Sequence, residues 1–329
     1  MKIFITRPIP QIGIKLLKDK GYEVTVNEGA KDREATKEEI VTALRQAQSE
    51  SKAFDALLSI LTEKIDAEIM DAGLPTLKII ANYAVGFDNI DLVAAKERKI
   101  MVTNTPGVLT DTVAEHTFSL MLSIAHRIPE ADKFTRAGLY KAWGPELLLG
   151  TDVSKKTLGI VGLGRIGTRV AYHTVKGFQM KVLYNDTKRN EEFEKEYNAV
   201  YYQNLDNMLP YCDFVSIHVP LLDSTHHLFN EDRFKKMKPT AYLINTSRGP
   251  IVDETALALS LSKGLIKGAA IDVFENEPNV NPDLLKLDNI ILTPHIASAT
   301  EETRNKMAEL AAQNIIEALE GHIPPNIIE

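Results

Sequence analysis

The sequence predicts an α/β protein built of two parallel-sheet domains, each wound with helices. Three observations carry this. Short apolar runs alternate with amphipathic segments along the chain, the pattern of strands covered by helices. That pattern starts at KIFIT (Lys2–Thr6) and starts afresh at TLGIVG (Thr157–Gly162). A length of 329 residues also suits two domains at roughly 100–200 residues each.

Taken in order, KIFIT reads as the first strand, and the helix around Ile12–Lys18 ends near Gly21. YEVTV follows as a strand, Lys37–Gln46 as a polar helix, then DALLSI, LKIIAN and IMVTN as strands. A long helix is predicted from about Thr110 to Ile128, with Asp111 as N-cap and Pro129 as its stop. After TLGIVG come MKVLYN, DFVSIHV, AYLINTS, GAAIDV and NIILTP, most of them followed by helical segments. Asp253 caps and Gly264 ends a helix in DETALALSLSKG, and Thr300 and Gly321 bound the last one.

Composition narrows the class. Hydrophobic residues make up 44% and charged residues 25%, enough for a sizeable core. A net charge of −7 argues against a nonspecific nucleic-acid or membrane-surface binder, which needs a basic face. One cysteine, Cys212, excludes an intrachain disulfide or a cysteine-rich metal site. The N-terminus lacks the run and cleavage site of a signal peptide, and no apolar stretch reaches the ~18 residues of a membrane span. A cytoplasmic protein is expected.

The segment GLGRIG (Gly162–Gly167) sits between the strand LGIV and the helical pattern TRVAYHTVK. There Gly162 permits a tight turn, Gly164 lets backbone N–H groups approach a pyrophosphate, and Gly167 lets helix and strand pack closely. The helix N-terminus adds unpaired N–H groups and a positive dipole. Asp186, about 20 residues further on at a strand end, suits the hydroxyls of an adenine ribose and repels a 2′-phosphate. NAD(H) is the expected cofactor. Lys188 and Arg189 just downstream could instead serve a phosphate, which keeps NADP(H) as the alternative.

Three later segments place polar groups just past strands, where α/β sheets bind ligands. They hold Arg248, then Asp272, Glu275 and Glu277, then His295. Beside a nicotinamide, such groups meet the needs of 2-oxo acid reduction. A histidine donates the proton, a carboxylate favours its charged form, and an arginine pairs with the substrate carboxylate and the growing charge on the carbonyl oxygen. Arg248, Glu277 and His295 fill these roles without a metal.

SIHVPL, NTSRGPIVDE, DVFENEP and TPHIASAT, in this order after GLGRIG, resemble the D-isomer-specific 2-hydroxyacid dehydrogenase family. NYAVGFDNID and NTPGVLTDTVAEHTFSLML extend the likeness into the first half, and WGPELLLGTDVSKKTLGIVGLGRIG is similar to its glyoxylate and hydroxypyruvate reductase branch. The resemblance implies a flavodoxin-like substrate domain (1–103 and 291–329), a Rossmann domain for NAD (104–290) and an active-site cleft between them. It makes Arg248, Glu277 and His295 the catalytic set, and gives Val85 and Gly86 as amide donors to the substrate carboxylate. Thr112, Arg165, Ile166, Val219, Pro220, Thr246 and Asp272 fall at its cofactor positions.

The resemblance also implies a homodimer, in which Trp143 reaches the partner's active site or packs in an interface or core. The implied reaction is reduction of glyoxylate or hydroxypyruvate. D-lactate dehydrogenase is the nearer alternative, and a dinucleotide-sensing corepressor of the same fold is the distant one; the lack of disordered tails disfavours the latter. Two departures stand out: Ala297 replaces a family glycine, expected to tighten the substrate side, and Gln179 replaces another, expected to reflect packing. His116 and His126 are expected to be packing or surface residues. His226 and His227 should point apart, and Cys212 should be a buried, inert thiol.

Overall fold

A computed structural model describes residues 1–328. The chain divides into two compact units, Met1–Leu109 with Ala299–Glu329, and Thr110–Ser298. These limits correct the expected ones at both junctions. Residues 104 and 105 bond backward, Asn104 N–H to Asn326 O and Thr105 N–H to Ala84 O, which holds the segment to the first unit. Residues 290–295 bond to the second: Ile290–Leu292 pairs with Gly268–Ile271, and His295 N–H donates to Asp272 O. His295 therefore lies in the same unit as Glu277, not in the substrate domain where the sequence boundary put it.

The first unit carries β1 (Lys2–Ile5), β2 (Glu23–Val26), β3 (Ala56–Ile60), β4 (Ile79–Tyr83) and β5 (Met101–Thr103). They form one parallel sheet in the order β2-β1-β3-β4-β5, the flavodoxin-like arrangement. Central strands β3 and β4 are mostly apolar and buried nearly throughout because helices cover both faces; β2, at the edge, alternates exposed and half-buried residues. Its helices are α1 (Gln11–Asp19), α2 (Lys37–Ser49), α3 (Ala67–Gly73) and α4 (Leu92–Glu97).

The second unit opens with α5 (Thr110–Ala125) and α6 (Ile128–Arg136). The single long helix expected here is two. Arg127 adopts a left-handed conformation (φ 55°) that ends the first, and Pro129 lies in the first turn of the second, where its missing N–H costs nothing. Asp111 lies inside α5 rather than capping it and pairs with Arg169.

Seven parallel strands follow: β6 (Thr157–Val161), β7 (Lys181–Asn185), β8 (Val200–Tyr201), β9 (Phe214–Ile217), β10 (Tyr242–Asn245), β11 (Gly268–Ile271) and β12 (Ile290–Leu292). Their order, β12-β11-β10-β9-β6-β7-β8, is the doubly wound dinucleotide-binding one, with its switch point between β6 and β9. The helices of this unit are α7 (Arg165–Phe178), α8 (Glu191–Tyr197), α9 (Leu205–Met208), α10 (Glu231–Phe234) and α11 (Glu254–Ser262). Asp253 caps α11 through Ala256 N–H at 2.9 Å. Gln179 ends α7 at φ 54°, so the residue stands where the backbone favours glycine, a conformational matter rather than the packing one expected.

The last helix, α12 (Glu301–Leu319), returns to the first unit. Its Ala308, Ala311, Ala312 and Ile315 are fully buried. A Cβ at Gly13 of α1 would sit 2.7 Å from Ala308 O, so glycine permits the approach of these two helices. No helix among the described residues is long and apolar enough to cross a membrane.

Glu63 lies just past β3, beside the end of β1, and is 3% exposed. Burial pushes its carboxyl up to about 7, against the pull of hydrogen bonds from Thr6 Oγ1 and Ile60 N–H. Between about 4.5 and about 7 the folded chain holds this proton and the unfolded chain releases it. Stability from this group therefore falls as pH rises through that window, by on the order of 3 kcal/mol. Glu63→Gln has no such proton. Its melting temperature relative to the parent should rise between pH 5 and pH 8, and parallel melting curves across that range would refute the assignment.

Candidate active site

The second unit gathers its polar residues along one sheet edge. β6 ends in Gly162, at φ 95°, where a Cβ would lie 2.8 Å from the backbone of His218 and Val219. A Cβ on Gly167 would lie 2.3 Å from Gly162 O, so glycine is required for α7 to start so close to β6. Gly164, the N-cap residue, has open space beside it. Helix geometry leaves the first-turn amides of Arg165, Ile166 and Gly167 without intrahelical acceptors. This bare, positively polarised turn fits a pyrophosphate.

Asp186 follows β7. Its Oδ2 accepts from Leu163 N–H at 2.6 Å, and its Oδ1 accepts from Thr187 Oγ1 and Lys188 N–H. The carboxylate faces a pocket of about 470 Å³ that is also lined by Leu163, Lys188, Arg189, Asn190 and Glu191. Arg189, one of the two cations that could have met a phosphate, donates to both oxygens of Glu194, at 2.9 and 2.7 Å. The residues present thus fit a dinucleotide, with the Asp186 carboxylate beside the glycine turn.

The remaining groups follow strand by strand. After β9, Val219 O accepts from Ser247 Oγ, and Pro220 O accepts from Thr225 Oγ1 at 2.7 Å. After β10, Thr246 Oγ1 lies 2.8 Å from Thr117 Oγ1 of α5. Thr112 lies in the first turn of that same helix. Arg248 comes next, its backbone O held by Asn245 Nδ2 at 2.9 Å. At Gly249 a Cβ would fall 1.9 Å from the carbonyl of Phe274, so only glycine lets the arginine loop lie against the loop that carries Glu277.

His295 Nδ1 lies 2.8 Å from Glu277 Oε2. A carboxylate only accepts, so Nδ1 donates and carries a hydrogen. Glu277 is fixed in turn by Phe274 N–H on its other oxygen, at 3.0 Å. His295 sits at φ 52°, its N–H donating to Asp272 O at 2.9 Å. Its Nε2 has no hydrogen-bond partner among the described residues, and the side chain is 25% exposed. The ring is therefore oriented, with one nitrogen left to exchange a proton.

Asp272 is fully buried beneath this loop. It accepts from Thr293 Oγ1 at 2.6 Å, Ile296 N–H at 2.9 Å and Ala297 N–H at 2.8 Å. Burial pushes its carboxyl up, but hydrogen bonds from His116, Thr293 and the two amides outweigh it and hold it below the usual range. His116 Nε2 is 3.5 Å from Asp272 Oδ1. Sequence reasoning left this histidine as packing or surface; nothing local on α5 marks it, because its partners lie far along the chain.

Two other expectations change. His226 and His227 stack at 4.1 Å between centroids instead of pointing apart, since φ at His227 is 48° and the segment is a turn. His227 also meets Glu275, at 2.5 Å. Cys212 is buried, and desolvation pushes its thiol up to about 12, as suits an inert residue. Ala297 is buried, with its amide on Asp272.

In the first unit, the loop after β4 has a one-sided hydrogen-bond pattern. The carbonyls of Ala84, Val85 and Gly86 accept from Thr105 N–H, Asn104 Nδ2 and Asn82 Nδ2. The N–H groups of Val85 and Gly86 donate to nothing among the described residues. Such a pair of free amides suits an anion.

Similarity to known proteins agrees with this chemistry. Residues 118–297 match the family model described as D-isomer specific 2-hydroxyacid dehydrogenase, NAD binding domain. The chain is 50% identical to a glyoxylate reductase of Thermofilum pendens, covering 99% of this chain and 94% of the relative. It is 47% identical to one from Korarchaeum cryptofilum, over 99% and 95%. Among solved structures, the NADPH-dependent glyoxylate/hydroxypyruvate reductase of Sinorhizobium meliloti in complex with NADP and malonate aligns with a TM-score of 0.85 at 32% identity, covering 99% of this chain and 96% of that one. With a sheet order, a glycine cradle and a relatedness that all agree, the chain belongs to the D-isomer specific 2-hydroxyacid dehydrogenase family.

Proposed function

We propose that this enzyme reduces a small 2-oxo acid of the glyoxylate or hydroxypyruvate type to the D-2-hydroxy acid. The observation that carries the reading is the His295–Glu277 pair, with one ring nitrogen held and the other free. A bound nicotinamide dinucleotide supplies the hydride. As the carbonyl oxygen gains charge, His295 Nε2 delivers a proton to it. Glu277 keeps the ring oriented through its bond to Nδ1. Arg248 supplies a planar cation for the substrate carboxylate and for the developing charge. The free amides of Val85 and Gly86 take a share of that carboxylate.

NAD(H) is the preferred cofactor in this reading. Support comes from Asp186, a carboxylate at the end of β7 that would repel a 2′-phosphate, and from Arg189, already engaged by Glu194. The NADP complex of the Sinorhizobium relative keeps NADP(H) as the competing choice. The enzyme is further proposed to be a cytoplasmic homodimer. Support comes from the exposed apolar side chains that cluster on and after α6, among them Ile128, Leu139, Tyr140, Trp143 and Leu149. The buried, unpaired thiol of Cys212 suits a reducing compartment.

Turnover of glyoxylate, hydroxypyruvate, pyruvate and phenylpyruvate with NADH tests the substrate class, and the first two should give the highest kcat/KM. His295→Gln should lose kcat by about 100-fold or more, the scale of general-acid catalysis, while NADH affinity is kept. Unchanged kcat would remove the histidine from the reaction. For the cofactor, kcat/KM should favour NADH over NADPH, and Asp186→Ser should narrow that ratio by roughly tenfold or more, equivalent to one lost charge repulsion. A parent enzyme that prefers NADPH would overturn the role of Asp186.

A further inference from the structure

The loop that offers the Val85 and Gly86 amides has no regular structure, yet a chain of side chains, buried at Asn82 and Glu63 and half-buried at Asn89, fixes it. Asn82 Nδ2 donates to Gly86 O at 2.9 Å and to Asn89 Oδ1 at 3.1 Å. Asn89 Nδ2 in turn lies 3.0 Å from Glu63 O, 3.2 Å from Ile60 O and 3.3 Å from Asn82 Oδ1. The turn presenting those two carbonyls is closed by Glu63, whose Oε2 accepts from Ile60 N–H at 2.8 Å and Thr6 Oγ1 at 2.6 Å. Asn82 and Glu63 are 0% and 3% exposed.

The direction of the hydrogen bonds decides what the assembly does. Apart from Ala84 N–H on Asn82 O and Ile90 N–H on Phe87 O, the contacts to the loop reach carbonyls or side chains, which leaves the Val85 and Gly86 amides open to an incoming acceptor. Asn89 also closes the loop at its far end, where Ile65 N–H donates to Asn89 O at 2.8 Å. One asparagine therefore ties the loop to the β3 turn through both its side chain and its backbone. Asparagine is the side chain that can do this, since it donates twice and accepts on one short stem.

We propose that Asn89, seated on the turn closed by Glu63 and acting through Asn82, is a positioning residue that sets the Val85 and Gly86 amides for the substrate carboxylate. This rests on the assignment of those amides under the proposed function. Asn89 touches no substrate atom in the proposal. Its effect is on substrate capture, not on the proton or the cofactor.

Asn89→Asp keeps the shape and loses both donors, placing a carboxylate against Ile60 O and Glu63 O. Its KM for glyoxylate should rise by about tenfold or more, the scale of a lost buried hydrogen bond. At saturation, kcat should stay within about threefold, and the dissociation constant for NADH, read by its fluorescence, should not change. A second pair covers the case in which that variant does not fold. Glu63→Ala should raise KM in the same way, while Glu63→Gln, which still accepts from Thr6 and Ile60, should restore it. An unchanged KM in Asn89→Asp, a KM rise matched by a loss of NADH affinity, or no difference between Glu63→Ala and Glu63→Gln would each overturn the proposal. A parent enzyme that reduces no 2-oxo acid would sink the proposed function itself, and the positioning role with it.

Discussion

The hydrogen bond between His295 Nδ1 and Glu277 Oε2 is the constraint around which the second unit is arranged. Its two ends lie on loops after neighbouring strands, β11 and β12. Glu277 is anchored by the amide of Phe274, three residues back in its own loop. His295 depends on a backbone in the left-handed region, which a non-glycine residue adopts only when its surroundings enforce it. Asp272 does much of that enforcing. Buried and charged, it collects three donors from the residues on both sides of His295, and these hydrogen bonds offset the cost of burying the carboxylate while they fix the loop.

The same economy of position appears at the glycines. Gly249 is the reason the arginine loop can rest on the carboxylate loop, and Gly162 and Gly167 are the reason α7 can start where an anion would find its amides. In the first unit, asparagine side chains occupy the carbonyls of Val85 and Gly86 and leave their N–H groups open. An acidic chain of net charge −7 would thus meet anionic ligands, in the proposed reaction, with few full charges: Arg248, His295 and oriented dipoles.

Much of the fold could be read from residues because parallel strands buried on both faces appear as unbroken apolar runs. The ends of elements were harder. Pro129 looked like a stop because proline breaks helix interiors, but it is equally at home in a first turn, and only the left-handed Arg127 before it decides between these. The unit boundaries were misplaced because residues 104 and 105 and β12 are assigned by hydrogen bonds to distant partners, which no local pattern carries. In the site, Arg248, Glu277 and His295 stood out by chemistry and by their places after strands. His116 and Asn89 did not, since each gains its meaning from a partner on another element. His226 and His227 misled for the opposite reason: their neighbourhood was taken as regular, and it is a turn.

The account stands or falls on the claim that Glu277 fixes the proton on His295. Glu277→Gln is the sharpest probe, because Oε1 can still accept from Phe274 N–H while the amide turns its own N–H toward His295. Nδ1 would then have to accept, leaving a neutral ring with its only hydrogen on Nε2, a far weaker acid than imidazolium. Steady-state kcat for glyoxylate reduction should drop by about 100-fold to 10,000-fold, the range seen when a histidine is held in the wrong tautomer. Melting temperature and NADH affinity should be retained. A variant that folds, binds NADH and keeps kcat within about twofold of the parent would contradict the account.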